Sequence, residues 1–415
     1  MAPVETSCLK LLFIDSSRNG WGTETHFVEL ACAVHRAGHD VRTIVRRGSP
    51  VERLLRDSPV PCLATPFRGG ADPRAFAAII RTMRKDPPDW IVTSRGKLYW
   101  PIVALGLAFN VRVVLFRHLA YLKHWHQRRL LPRLADRFYV VSQFAQDVLV
   151  AEGAPRERLT PLYNPIDTKR FRPATPVDRT ALREQLGLRP QDFVVGFVGR
   201  MEHGKGVIPL CEAVAALMKR HARLRMLWIG DGPEAPTLQR FAATTRGGAR
   251  QVFLGWQRQI ERYFGALDVL VAPSIVPETF GRVVAEAQAC GIPVIASGAG
   301  GLSEAFVPDR TGLLLREVDT ATISAAIERL MEDPHLRERL GVLGREFVHA
   351  RFAADKVAQA FTAHLAATPL PAAVPELSGM RQDGGNTFEV DRFDEVKVHA
   401  DLPRLASVAL LTPTG

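Results

Sequence analysis

Short runs that are apolar at nearly every position alternate with longer helical patterns through most of this chain, and that alternation limits the possible folds more than any single motif. In the first half the strand candidates are Lys10–Asp15, Val41–Val45, Trp90–Val92, Val111–Phe116 and Phe138–Val141, with helical periodicity clearest over Thr25–Ala37 and Arg74–Arg84. The second half offers Phe193–Val198, Arg225–Ile229, Val252–Leu254, Val269–Ala272, Val294–Ala296 and Leu313–Leu315. Strands interleaved with helices in this way imply parallel sheets with helices on both faces, an α/β fold. At 415 residues the chain is long for one core, so two Rossmann-like domains facing each other across a cleft are expected. Ligands of open parallel sheets bind outside the carboxyl ends of the strands, and facing domains direct both sets of ends at one cleft. The boundary is placed after Asn164-Pro165-Ile166-Asp167, where Arg172-Pro173-Ala174-Thr175-Pro176 reads as linker. This gives a first domain over 1–170 and a second over 171–345, closed by a helix from roughly Ala321 to Met331. Residues 368–415 carry Pro and Gly breakers and weak periodicity, and read as an extension of unknown role.

Charge is unevenly placed. Residues 1–164 hold 24 Lys and Arg against 14 Asp and Glu, while the remainder holds 30 against 29. The first domain is therefore expected to meet something anionic. Its densest part runs Arg112, Arg117, Lys123, Arg128, Arg129, Arg133, Arg137, with Phe116, Tyr121 and Trp125 between. That pattern suits an anionic membrane surface or an anionic acceptor, and equally a solvated basic helix. No nucleic-acid module is legible, so nucleic acid is the least favoured partner. Five cysteines with no Cys-x-x-Cys pair argue for a reducing compartment and against structural zinc. No signal peptide or membrane-length apolar segment is visible, so the expected location is cytoplasmic, with peripheral attachment to a membrane as an option.

The most informative stretch is Pro277-Glu278-Thr279-Phe280-Gly281-Arg282-Val283-Val284-Ala285-Glu286, followed by Gly291-Ile292-Pro293 and the strand candidate Val294–Ala296. Glu278 precedes a Gly and a helical pattern; Glu286 lies inside that pattern. A helix N-terminus offers free N–H groups and partial positive charge, which suit a phosphate. Were the whole span helical, the two carboxylates would sit about 80° apart around the axis and could face one elongated ligand. A diphosphate beside hydroxyl-binding carboxylates describes a sugar nucleotide.

With its Glu, seven residues, Glu spacing, this segment resembles the donor-site signature of retaining GT-B glycosyltransferases of family 4 (glycosyltransferase group 1). Further pieces stand in the matching order: Gly199-Arg200 with Lys205-Gly206, Gly230-Asp231-Gly232-Pro233, Phe253-Leu254-Gly255, and Asp268 to Ser274. The resemblance implies a GT-B fold, in which the amphipathic segment Leu340 to Leu365 would contain a helix crossing back to the first domain, over 346–367. It also implies retaining transfer of a sugar from a nucleotide-diphosphate donor to a glycan or lipid-linked acceptor, in cell-surface polysaccharide, lipopolysaccharide or glycolipid assembly. Arg200 and Lys205 would bind the donor phosphates, Glu278 the hydroxyls of the transferred sugar, and Glu286 both ribose hydroxyls. Phe280 and Gly281 would offer backbone N–H groups, and backbone around Trp256 to Arg258 would face the base. His118, after the strand candidate Val111–Phe116, matches a histidine that contacts the transferred sugar; His124 and His126 are its close competitors. Gly20 and Gly22 would let backbone approach the ligand, although Trp21 separates two glycines that are adjacent in the family. Asn-Pro-Ile-Asp at 164–167 matches only the ends of the family's linker motif.

No Asp-x-Asp pair occurs, so no metal or other cofactor is expected. The nearest rival is a retaining synthase or phosphorylase acting on a small soluble sugar. From other classes come an NAD-dependent oxidoreductase and a catalytically dead binding module. Against the former, no Gly-x-Gly-x-x-Gly follows either first strand, and Asp40 precedes its strand where a ribose-binding acid should follow one. Against the latter stand the intact Glu278, Glu286, Arg200 and Lys205.

Overall fold

The computed structural model describes residues 8–18, 22–69 and 72–368, and every ladder among them is parallel. Seven strands, β1 (Lys10–Asp15), β2 (Asp40–Arg46), β3 (Cys62–Thr65), β4 (Trp90–Thr93), β5 (Arg112–Arg117), β6 (Arg137–Val140) and β7 (Leu159–Pro161), form one sheet in the order β3-β2-β1-β4-β5-β6-β7. Six more, β8 (Phe193–Val198), β9 (Leu224–Ile229), β10 (Gln251–Gly255), β11 (Val269–Ala272), β12 (Val294–Ser297) and β13 (Gly312–Leu315), form a second in the order β10-β9-β8-β11-β12-β13. The expected α/β architecture of two Rossmann-like sheets is therefore what the chain adopts. Two strands escaped the sequence, β3 and β7. Both lie at sheet edges; β3 leaves Cys62 and Leu63 exposed, and β7 is three residues long and ends in Pro161.

Side-chain alternation explains why central strands are apolar throughout. In β8, Val195 packs with Trp228, Val271, Val214 and Ile327, while its neighbour Val194 packs on the opposite face with Leu227, Leu270 and Phe264. The first sheet is covered likewise: Phe13, Val92 and Tyr139 meet Phe27 and Val34 on one face, and Ile14, Ile91 and Phe138 meet Ile79 and Ile102 on the other.

The C-terminal segment departs from the single amphipathic stretch read from the sequence. It is two helices, Pro334–Arg351 and Ala354–Ala366. Between them, the Ile166 N–H donates to the Phe352 carbonyl (2.8 Å) and the Ala354 N–H donates to the Ile166 carbonyl (2.9 Å). Those bonds to the interdomain linker replace helical ones and break the run. The second helix then returns to the first domain, burying Val357, Phe361 and Leu365 in its core.

Strand order reverses between β1 and β4 in the first sheet and between β8 and β11 in the second. Ligand crevices of such sheets open at these reversals, outside the carboxyl ends. In the first domain the ends of β1 and β4 lead to Asp15, Ser17, Ser94 and Arg95. In the second, β8 leads into Gly199–Gly206 and β11 into Pro273–Gly281.

Candidate active site

The loop after β8 is shaped by a glycine with no substitute. Gly206 has φ +66°, and a Cβ there would lie 1.9 Å from the Pro273 carbonyl oxygen. This close approach brings the short turn His203–Lys205 against the loop that follows β11. Lys205 Nζ then pairs with Glu278 Oε1 at 2.9 Å, and the Ser274 hydroxyl donates to the same oxygen. Glu278 itself is stitched to the loop after β12: its N–H donates to the Ala299 carbonyl (3.1 Å), and its carbonyl accepts from the Gly301 N–H (2.7 Å). Glu278 is thus in extended backbone, and the helix begins only at Arg282. Gly281 precedes it with φ +84°, and a Cβ there would lie 2.2 Å from Leu302 Cδ1. Having no side chain, Gly281 leaves the first-turn amides of Arg282–Ala289 without a side-chain cap.

Between the domains lies a cleft of about 910 Å³. Glu286, Arg200, Trp256, Arg258 and Gly22 line it, so the fold brings these sequence-selected residues together. Five arginines border it (Arg53, Arg170, Arg200, Arg258 and Arg282) against two acids, Asp231 and Glu286. Three of these arginines already have carboxylate partners (Arg170 with Glu261, Arg200 with Glu202, Arg282 with Glu29 and Glu286), so the cleft offers an anion guanidinium groups in place and not a net surplus of charge. Pro50, Arg53 and Leu54 of the first domain also line this cleft, as do Trp256 to Arg258. Lys205 and Glu278 are not among the lining residues; they form their own pair in the loops after β8 and β11. Phe280 is a core residue, 2% exposed, against Tyr163 and Phe352, so only its backbone is available to a ligand. Gly20, like Trp21, lies outside the described residues.

The sequence reading missed Arg282 and Glu29. Arg282 Nε donates to Glu286 Oε1 (2.7 Å) and Nη2 to Glu29 Oε2 (2.6 Å), which belongs to the helix Gly22–Arg36 of the first domain. Burial and the neighbouring carboxylate outweigh the guanidinium at Glu29 and push its carboxyl up to about 7. Burial also raises Glu286, while two adjacent carboxylates keep Arg282 charged despite its own desolvation. Spacing of four between Arg282 and Glu286 was a visible signal for their pairing. The partner on a helix 253 residues away was not.

His118 stands one residue beyond β5, its ring edge-on to His26 with centroids 4.5 Å apart. Among the described residues neither of its ring nitrogens has a hydrogen-bond partner. Burial holds it well below the ordinary imidazole range, so it is neutral at pH 7. His26 is likewise driven down to about 3, with Nδ1 2.9 Å from Asn164 Oδ1. Since an amide oxygen accepts, Nδ1 of His26 carries the proton. His124 and His126 stack on one another outside this cluster.

The basic stretch between Arg112 and Arg137 does not form one face. Phe116 is buried in the core, and Arg112 packs over Trp90 (4.3 Å) while donating to the Thr368 carbonyl. Arg137 donates to the Thr368 hydroxyl and the His364 carbonyl, fastening the returning helix. What remains outward is narrower: Leu119, Tyr121, Trp125, Leu130 and Leu134 are exposed, interspersed with Lys123, Arg129 and Arg133. No described helix is long and apolar enough to cross a membrane. Among the described residues no group of three or more His, Cys, Asp and Glu is arranged to hold a metal.

Comparison with known proteins agrees with this architecture. Residues 21–170 match the family described as Glycosyltransferase Family 4, and residues 178–347 match Glycosyl transferases group 1. The chain is similar to the D-inositol 3-phosphate glycosyltransferase of Nocardia farcinica, 36% identical over 52% of this chain and 49% of that protein. It is also similar to a GDP-mannose-dependent monoacylated alpha-(1-6)-phosphatidylinositol monomannoside mannosyltransferase of Corynebacterium glutamicum, 32% identical over 49% of this chain and 55% of that one. The chain thus spans about half the length of the curated relatives it matches. Among solved structures, Anabaena HepE in complex with UDP-glucose shares the fold with a TM-score of 0.74, at 24% identity over 86% of this chain and 99% of its own.

Proposed function

We propose that this chain, which belongs to the GT-B glycosyltransferases of group 1, family 4, transfers a sugar from a nucleotide-diphosphate donor to an acceptor hydroxyl with retention of anomeric configuration. The observation that carries this reading is the grouping of Arg200 and Glu286 along one cleft, with the Lys205–Glu278 pair in the loops beside it. In it, the nucleotide ribose hydroxyls donate to Glu286. The diphosphate lies by the uncapped amides of the helix Arg282–Ala289, and Arg200 and Lys205 complete its cradle. Glu278 accepts from hydroxyls of the transferred sugar. His118, neutral, offers a ring nitrogen to the same sugar. No side chain is assigned as nucleophile: the acceptor attacks on the face that the leaving group vacates, and the departing phosphate takes the acceptor's proton. Stabilising the charge that develops on that phosphate is the dominant contribution expected of Arg200 and Lys205.

Those two cations and the helix amides do the neutralising that a divalent ion performs elsewhere, so the reaction is proposed to need no metal. Loss of activity in EDTA, restored by manganese, would contradict this. For the acceptor, the exposed aromatic and basic segment 119–134 favours a lipid-linked molecule at an anionic membrane surface. One relative above is named for an acylated phosphatidylinositol mannoside, which supports the same choice; the other is named for D-inositol 3-phosphate, an anionic compound without a lipid chain, which supports only an anionic acceptor. Assay of turnover with a UDP-, GDP-, ADP- and TDP-sugar panel tests the activity, and NMR of the product tests retention. Inverted anomeric configuration would overturn the mechanism.

A further inference from the structure

Arg282 joins the two domains beside the cleft. It opens the helix Arg282–Ala289 of the second domain, yet its guanidinium binds Glu29 on the first-domain helix Gly22–Arg36. Its third contact is the Pro165 carbonyl in the linker, at 3.2 Å from Nη1. One planar fork therefore serves two carboxylates from different domains and the chain that connects them, an arrangement a lysine cannot reproduce. Both carboxylates are buried, Glu29 at 8% and Glu286 at 4% exposure. Glu286 lines the cleft, whereas Glu29 does not; Gly22 and Thr25, near the start of Glu29's helix, do.

The energetics favour position over stability. Taking two carboxylates and a guanidinium out of water costs about what their attraction returns. Glu29 Oε1, moreover, is buried with no partner, so the bridge is incompletely satisfied. What the bridge does define is geometry. It holds the Oε1 edge of Glu286 and ties the guanidinium that holds it to Glu29 of the first domain.

We propose that Arg282 is a positioning residue that couples donor-nucleotide binding to the approach of the two domains, holding Glu286 in its binding orientation through its own attachment to Glu29. The proposal rests on Glu286 being the carboxylate that takes the nucleotide. It makes Glu29, a residue outside the cleft, a determinant of nucleotide affinity.

Calorimetric titration of UDP, GDP and ADP into the full chain and into Glu29→Ala, Glu29→Gln, Arg282→Ala and Glu286→Ala tests this, with the melting temperature of each variant recorded alongside. Glu29→Ala is expected to weaken the best-bound diphosphate roughly tenfold, about 1.4 kcal/mol, with little change in melting temperature. Glu29→Gln, which keeps an oxygen for Nη2, should restore affinity to within about threefold of wild type. A role confined to folding would move the melting temperature of Glu29→Ala and leave the nucleotide affinity of the folded variant unchanged. If Glu29→Ala binds as wild type while Glu286→Ala loses affinity, the coupling is wrong and the assignment of Glu286 survives. If Glu286→Ala binds as wild type, both fall.

Discussion

In the loops after β8 and β11 the second domain pairs Lys205 with Glu278 where solvent reaches them, whereas the first domain buries polar groups with hydrogen-bonding capacity to spare. Lys205 and Glu278 keep 27% and 16% of their side chains exposed while in contact. At the strand ends of the first domain, by contrast, the Ser94 hydroxyl and both ring nitrogens of His118 are buried without hydrogen-bond partners among the described residues. Each such group costs about 1–3 kcal/mol relative to a satisfied one. On the proposed reading, Lys205 and Glu278 form an ion pair that a phosphate or hydroxyl can exchange with at little cost. On the same reading, a ligand of the first domain would have to answer buried groups, which would make specificity there sharper.

The most severe way to break the donor half is Lys205→Ala. Turnover should fall by a factor on the order of 100 or more, measured as kcat at saturating donor. An unchanged rate would remove Lys205 from the site. Glu286→Ala should act differently, raising KM for the nucleotide sugar roughly tenfold or more with a smaller change in kcat; equal losses in both would place it in the chemistry instead. His118→Ala probes the opposite half. Since the ring is neutral and buried, its loss should lower kcat/KM about tenfold without altering the pH profile between 6 and 8. A shifted profile would mean that the ring titrates during turnover.

Glu29 gives a subtler comparison, through stability. Its folded carboxyl is raised from 4.5 to about 7, so the protonated form favours folding; that contribution is complete below about pH 4.5 and disappears as pH rises through about 7. Glu29→Gln mimics the protonated side chain. Relative to wild type, its melting temperature should therefore gain more at pH 8 than at pH 5, by scanning calorimetry. The same offset at both pH values would show that Glu29 does not titrate in this window. The smallest effect is expected at the surface patch: Trp125→Ala with Arg129→Ala should reduce flotation with anionic vesicles at low salt and leave turnover of a water-soluble acceptor unchanged. Absence of flotation in the wild type would leave a soluble acceptor as the better reading.

What the sequence disclosed follows the same division. Fully buried strands such as β4, β8 and β11 announced themselves as unbroken apolar runs, because both faces are covered. The edges β3 and β7 did not, since half-exposed strands of three or four residues look like loop. Glu278, Glu286, Arg200 and Lys205 lie within a short span of one domain, so their order and spacing carried the signal. Glu29 and Arg282 meet through tertiary structure, across 253 positions, and no local pattern reports such a pair. Phe116 shows the converse error: set among arginines, it reads as a membrane-facing aromatic, yet it lies in β5, where both faces of the sheet are covered, and is core.

A crystal structure of the chain soaked with whichever UDP, GDP, ADP or TDP sugar most raises its melting temperature bears most directly on the account. The prediction is difference density for the pyrophosphate at the amino end of the helix Arg282–Ala289, within hydrogen-bond reach of Arg200 and Lys205, with the ribose on Glu286. Nucleotide density anywhere else, or with its ribose directed away from Glu286, would contradict it.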